Sequence, residues 1–140
     1  MPAHFSETGV SFQYPENWKL EREEIENGWL VTVQSPDSAF FMLCRRTDNP
    51  TSKALAAEAL GDLRESYPEL EAEAASSKVA GRSAGGFDVR FFYLDLTNSA
   101  WVRTFRAGGA TILVLWQATD LEMDGNEPVL RAIGQSLTIE

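Results

Sequence analysis

One cysteine and one histidine stand in 140 residues. Cys44 has no second thiol for an internal disulfide and no companions for a thiolate zinc cluster. His4 alone cannot build a histidine metal site. A Ser-His-Asp or Cys-His relay would have to rest on that residue, near a chain start where segments are loosely held. Long apolar runs are also missing. The longest, around Thr111 to Trp116, falls far short of the roughly 20 residues of a membrane helix. The opening MPAHFSETGV has no basic n-region and no apolar h-region. These absences predict a cytoplasmic protein without membrane insertion. Basic residues are scarce: 12 Lys and Arg against 21 Asp and Glu leave a net charge of −9. Like charge repels nucleic acid and anionic membrane. The same charge suits a basic partner surface, or serves solubility alone.

Two partial motifs fail on their chemistry. The stretch from Asp120 through Glu122 and Asp124 to Gly125 starts like a calcium loop, but Arg131 stands at the twelfth place, where a bidentate Glu is needed, and Pro128 at the ninth. Gly81, Gly85 and Gly86 precede no helix whose N-terminus could hold a phosphate, so they are read as turn residues.

What remains is enough for a core, with 44% apolar and 11% aromatic residues. The length suits one domain, residues 1–140. In GVSFQYPENW, Val10, Phe12 and Tyr14 alternate with polar residues, a half-buried strand that Pro15 ends. Asn27-Gly28 is a hairpin signal before a strand from Trp29 to Gln34. Ala39 to Arg45 reads as a buried strand, with Cys44 an inert thiol in it unless Arg45 and Arg46 activate it at the surface. Asn49 to Ser52 is a helix start, and Leu55, Ala59, Leu63 and Tyr67 make one apolar face before Pro68. Glu69, Glu71 and Glu73 alternate with Leu70, Ala72 and Ala74, the pattern of a charged edge strand. A short strand from Lys78 to Arg82 and a Gly85-Gly86 turn are expected next.

Phe87 to Asp95, Ser99 to Ala107 and Ala110 to Ala118 then form a meander, with Gly108-Gly109 as a two-residue turn. That turn sets Trp101 against Trp116, Arg103 against Val114 and Phe105 against Ile112. With the Leu96 to Ser99 loop keeping phase, Arg90, Phe92 and Leu94 join this face. Phe87, Val89, Phe91, Tyr93, Val102, Leu113 and Leu115 take the other. Two apolar faces require cover on both sides. Asn126 is expected to cap a last helix carrying Leu130, Ile133 and Leu137. Arg90, Arg103, Trp101 and Trp116 are the candidate partner-binding residues. An arginine on an apolar face needs a carboxylate, here Asp88 or Asp95, or an aromatic plane. The competing reading is an arginine whose stem packs while its head reaches water.

Phe5, the run Gly9 to Tyr14, Pro15, Trp18 and then Ser35-Pro36 resemble the start of the Mog1/PsbP-like superfamily. Near the far end, ATILVLWQAT, an acidic loop and a helix reaching Ile133 to Leu137 resemble it too. The resemblance implies an α+β fold with an antiparallel sheet of about six strands between helices. It implies little common chemistry. Mog1 binds a small GTPase and promotes nucleotide release, PsbP binds photosystem subunits, and bacterial relatives include lipoproteins and chaperones for secreted toxins. A lipobox cysteine and a targeting segment are not found near this chain's start. The expectation is a non-enzymatic protein-binding module, adaptor or chaperone-like, with no cofactor and with a basic surface or hydrophobic segment as partner. Alternatives are a carrier of a small apolar ligand and a homodimer formed through the Trp-bearing strands.

Overall fold

The glycine turn before the last long strand fixes the frame. In a computed structural model describing residues 2–140, Gly108 and Gly109 take φ values of 59° and 76° between β8 (Leu96–Ala107) and β9 (Ala110–Thr119). Trp101 pairs with Trp116, Arg103 with Val114 and Phe105 with Ile112, the register that the turn implies. On the other side of β8 lies β7 (Arg82–Tyr93), joined by a turn at Leu94-Asp95.

Seven strands form one antiparallel sheet. Besides these three, it contains β3 (Lys19–Ile25), β4 (Gly28–Gln34), β5 (Phe40–Arg46) and β6 (Glu71–Val79), in the order β3-β4-β5-β9-β8-β7-β6. A smaller sheet joins β1 (Ala3–Glu7), β2 (Val10–Tyr14) and β10 (Thr138–Ile139), with β2 in the middle. Two helices complete the chain, α1 (Ser52–Ser66) and α2 (Met123–Ser136). The Thr51 hydroxyl caps α1 by accepting from the Ala54 amide at 3.0 Å.

One face of the large sheet is covered by α1. Leu55, Ala56 and Ala59 pack on Cys44, Val102, Leu113 and Leu115, and Leu60 packs with Val89, Phe91 and Ala100. The other face carries Val31, Val33, Phe41, Leu43, Ile112 and Val114. It is covered by Phe5, Val10 and Phe12 of the small sheet and by Leu130 and Ile133 of α2. Trp18 is buried in the same cluster, held by a turn in which its amide donates to the Pro15 carbonyl at 3.0 Å. The indole at the first strand's exit is therefore part of the core, and half-buried Pro15 makes the turn that delivers it.

The α+β antiparallel plan stands, with corrections of detail. The main sheet has seven strands and not six, and a helix with a small second sheet covers the side where helices alone were expected. His4 lies in strand β1 rather than in a loose end. Gly85 and Gly86 lie inside β7, while the turn sits earlier at Ala80-Gly81, so β6 is one unbroken strand from Glu71. Gly86 is there because of close approach: a Cβ would lie 1.9 Å from the Val102 carbonyl oxygen. The last helix begins after Glu122, and its start has no side-chain cap from Asn126.

Cover also fails in one place. Towards the β7–β8 turn, the face that α2 and the small sheet shield elsewhere carries Glu71, Glu73 and Arg90, all exposed. Apolar patterning on both faces holds at the centre of the sheet and gives way to polar residues at its β6 edge.

Candidate functional site

On that partly open face, one row of side chains crosses five strands. Register places Phe41, Trp116, Trp101, Asp88 and Glu73 side by side on β5, β9, β8, β7 and β6. The first three are a ladder of near-parallel rings. Phe41 and Trp116 have centroids 6.3 Å apart and planes 17° apart, and Trp116 and Trp101 are 5.9 Å and 17° apart. Phe41 is fully buried, whereas both indoles are half-buried. Beyond Trp101 the row turns acidic.

Trp101 and Trp116 also line a cavity of about 670 Å³ between the sheet and α2, with Val79 and Val114 from the sheet and Leu130 and Leu137 above. Glu127 and Arg131 stand at its rim, paired with each other at 2.7 Å.

The structure separates the two arginines. Arg103 is buried, and its head is fixed by four hydrogen bonds. It donates to the Ser77 hydroxyl at 2.8 Å, the Asp88 carboxylate at 2.8 Å, and the carbonyls of Phe87 and Val102 at 3.2 and 3.0 Å. Gly86, its register partner on β7, has no side chain to compete for the space. Arg90 lies in the open and meets Asp120 at 3.2 Å, with both groups about half exposed. Of the four candidates, Trp101 and Trp116 form a surface. Arg103 braces the strands beneath it through Asp88, and Arg90 belongs to a separate surface pair.

Sequence reasoning took Glu71 and Glu73 only as an edge guard. Among the described residues neither carries an ion pair, while Arg90, Arg103 and Arg131 each already hold a carboxylate. Towards the β7–β8 turn lies an apolar end, where register puts Phe92 on this face. Phe92 is 77%, Leu94 78% and Leu121 80% exposed. Leu121 is brought there because the Asp120 amide donates to the carbonyl of Thr97, the register partner of Phe92. Leu94 holds φ at 52° and Asp95 at 63°, a conformation that glycine, asparagine or aspartate adopts more readily than leucine.

Away from this flank, Cys44 and Glu122 are among the groups whose pKa is shifted. Burial pushes the Cys44 thiol up, and Arg46 only partly offsets it. Burial also works to raise Glu122, but hydrogen bonds from Ser38, Thr119 and the Ala39 amide prevail and hold its carboxyl below the ordinary value. Among the described residues, no group of three or more His, Cys, Asp or Glu is placed to hold a metal ion.

No family model matches the chain, and no curated protein matches it. Solved structures do. The architecture is a Mog1/PsbP-like fold. The chain is similar to cyanobacterial PsbP (CyanoP) from Synechocystis, with a TM-score of 0.66 and 14% identity over 99% of this chain and 92% of that one. A protein of Bacteroides thetaiotaomicron gives 0.63 and 15%, over 98% of this chain and 48% of that chain. LpqN of Mycobacterium tuberculosis, involved in cell envelope biogenesis, gives 0.53 and 15%, over 99% and 89%. At such identities the likeness is one of fold.

Proposed function

We propose that this protein is a non-enzymatic binding module, adaptor or chaperone-like, that takes part of another protein along the flank from the Trp101–Trp116 groove to Phe92 and Leu94. The carrying observation is the make-up of that flank: half-buried indoles at one end, exposed Phe92, Leu94 and Leu121 at the other, and polar residues between. Large exposed apolar side chains gathered on one face mark an interaction surface more often than a free one, and aromatic residues are enriched in interface centres. The strained Leu94 supports the same reading, since backbone strain collects at functional positions.

The test is affinity capture from the source lysate with three baits: the parent, a Phe92→Ser/Leu94→Ser variant and a control altered at exposed Glu26. A protein recovered by the parent and the control, and lost with the flank variant, is expected. Repeated recovery of nothing specific by the parent would remove the proposal.

The groove of about 670 Å³ favours a second reading, a carrier of a small apolar molecule. Native mass spectrometry of gently purified protein would then show an adduct that Trp101→Leu removes. A clean unliganded mass in repeated preparations speaks against it.

A further inference from the structure

Resting on the reading of the flank as a docking surface, the occupant can be narrowed by charge. The ring ladder ends at Trp101, and the next residues in its row are Asp88 and Glu73. An indole face attracts a cation, more strongly when the site is partly desolvated, as at the half-buried Trp101. Asp88 has one oxygen committed to Arg103 and is still 46% exposed. Glu71 and Glu73 have no ion pair among the described residues. Arg90 stands opposite Glu71 but is committed to Asp120, and Lys78 at the groove offsets one charge, so the negative surplus that remains lies at Glu73 and Glu71, beside an aromatic surface with apolar ground on both sides. Four residue steps along β7 lead from Asp88 to Phe92, about 13 Å at the rise of a strand.

We propose that the partner presents a basic amphipathic segment. An arginine or lysine side chain lies along the Trp101 indole with its cation beside Asp88 and Glu73. Apolar residues before and after it enter the groove under α2 and rest on Phe92. The segment is recognised by a central positive charge between apolar anchors.

The experiment uses three fluorescent 13-residue peptides built from Leu, Ser and Gly. They are identical except for two central positions, which carry Arg, Gln or Glu, and binding is followed by anisotropy. The Arg peptide is expected to bind about tenfold more tightly than the Gln peptide, with the Glu peptide weakest. Glu71→Gln/Glu73→Gln and, separately, Trp101→Leu should each weaken the Arg peptide about tenfold. Glu23→Gln/Glu26→Gln, the same change of net charge at the opposite edge, should stay within about twofold. Circular dichroism checks that each variant is folded, and the charge variants keep the test alive if Trp101→Leu is not.

Equal binding of the Arg and Gln peptides, with both lost on Trp101→Leu, would overturn the basic occupant while leaving the flank as the binding surface. Equal losses in the two charge variants would reduce the effect to overall attraction and overturn it too. So would dimers of the parent that Trp101→Leu dissolves, because a second copy would then be the occupant. Failure of all three peptides to bind up to millimolar concentration overturns this inference, while the lysate capture judges the flank separately.

Discussion

Arg103 and Asp88 meet at 2.8 Å across neighbouring strands, one buried and the other half in water. The pair forms the floor of the open flank and ties β8 to β7 directly beside Trp101. Arg103 thereby acts as a brace, and its neighbour Trp101 is free to act as a surface.

Arg103→Leu should therefore lower stability while leaving Asp88 unneutralised, which adds one negative charge to the flank's surplus. The change strips a donor from Ser77, Asp88 and two carbonyls at once. A loss of about 2–3 kcal/mol in urea unfolding is expected. Asp88→Asn keeps a partial acceptor at a wetter position and should cost about 1 kcal/mol. An Arg103→Leu protein as stable as the parent would contradict the brace.

The adjacent glycines of β7 should behave oppositely. Gly86→Ala drives a Cβ into the Val102 carbonyl and must shift the β7–β8 pairing, at a cost of about 3 kcal/mol or more. Gly85→Ala meets nothing within 4 Å and should be neutral or slightly stabilising in thermal melts.

Glu122 supplies a pH dependence. Its carboxylate accepts from the Ser38 hydroxyl, from the Ser38 amide at 3.2 Å, from Thr119 at 3.1 Å and from Asn126 at 3.2 Å, joining the β4–β5 loop to the start of α2. Its pKa is held below the ordinary carboxyl value, so the folded state favours the charged form. The stabilisation is present above that ordinary value and is lost as pH falls through the lower folded one. Glu122→Gln should cost about 1–2 kcal/mol at pH 7, and the gap to the parent should close as urea titrations move below pH 4.

Cys44 should resist thiol reagents in the native state. It sits 6% exposed on the α1 side of the sheet, and burial raises its pKa, disfavouring the reactive thiolate. Labelling by a disulfide reagent should be far slower than in urea and should speed up with denaturant, because opening of the sheet limits it. Rapid native labelling at pH 7 would show that α1 does not shield it.

The fold was legible wherever the chain alternates over a well-marked turn. Gly108-Gly109 supplied the register of β8 and β9, and hence the pairing of the two indoles, without any structure. The turn at Leu94-Asp95 was not legible, because leucine gives no turn signal and tertiary context imposes the positive φ. Gly85-Gly86 misled for the converse reason: glycine marks close backbone approach as well as turns, and the two look alike in sequence. Strand β3, with Glu21, Glu23 and Glu24 beside Arg22, reads as a charged run because it is an outer strand with little to bury. Strand β10 is two residues long, too short for any periodicity. At the site, the residue set came from one correct register. The division of labour between Arg90 and Arg103 depended on Asp88, Ser77 and Asp120, which the fold brings together from separate strands and a loop.

The parallel rings of Trp101 and Trp116 give the protein an optical gauge of its own. Two indoles at this spacing couple their electronic transitions, so their near-ultraviolet dichroism depends on the angle between them. Anything that settles against the outer ring and tilts it will alter that signal, and docking can be followed by light without a label.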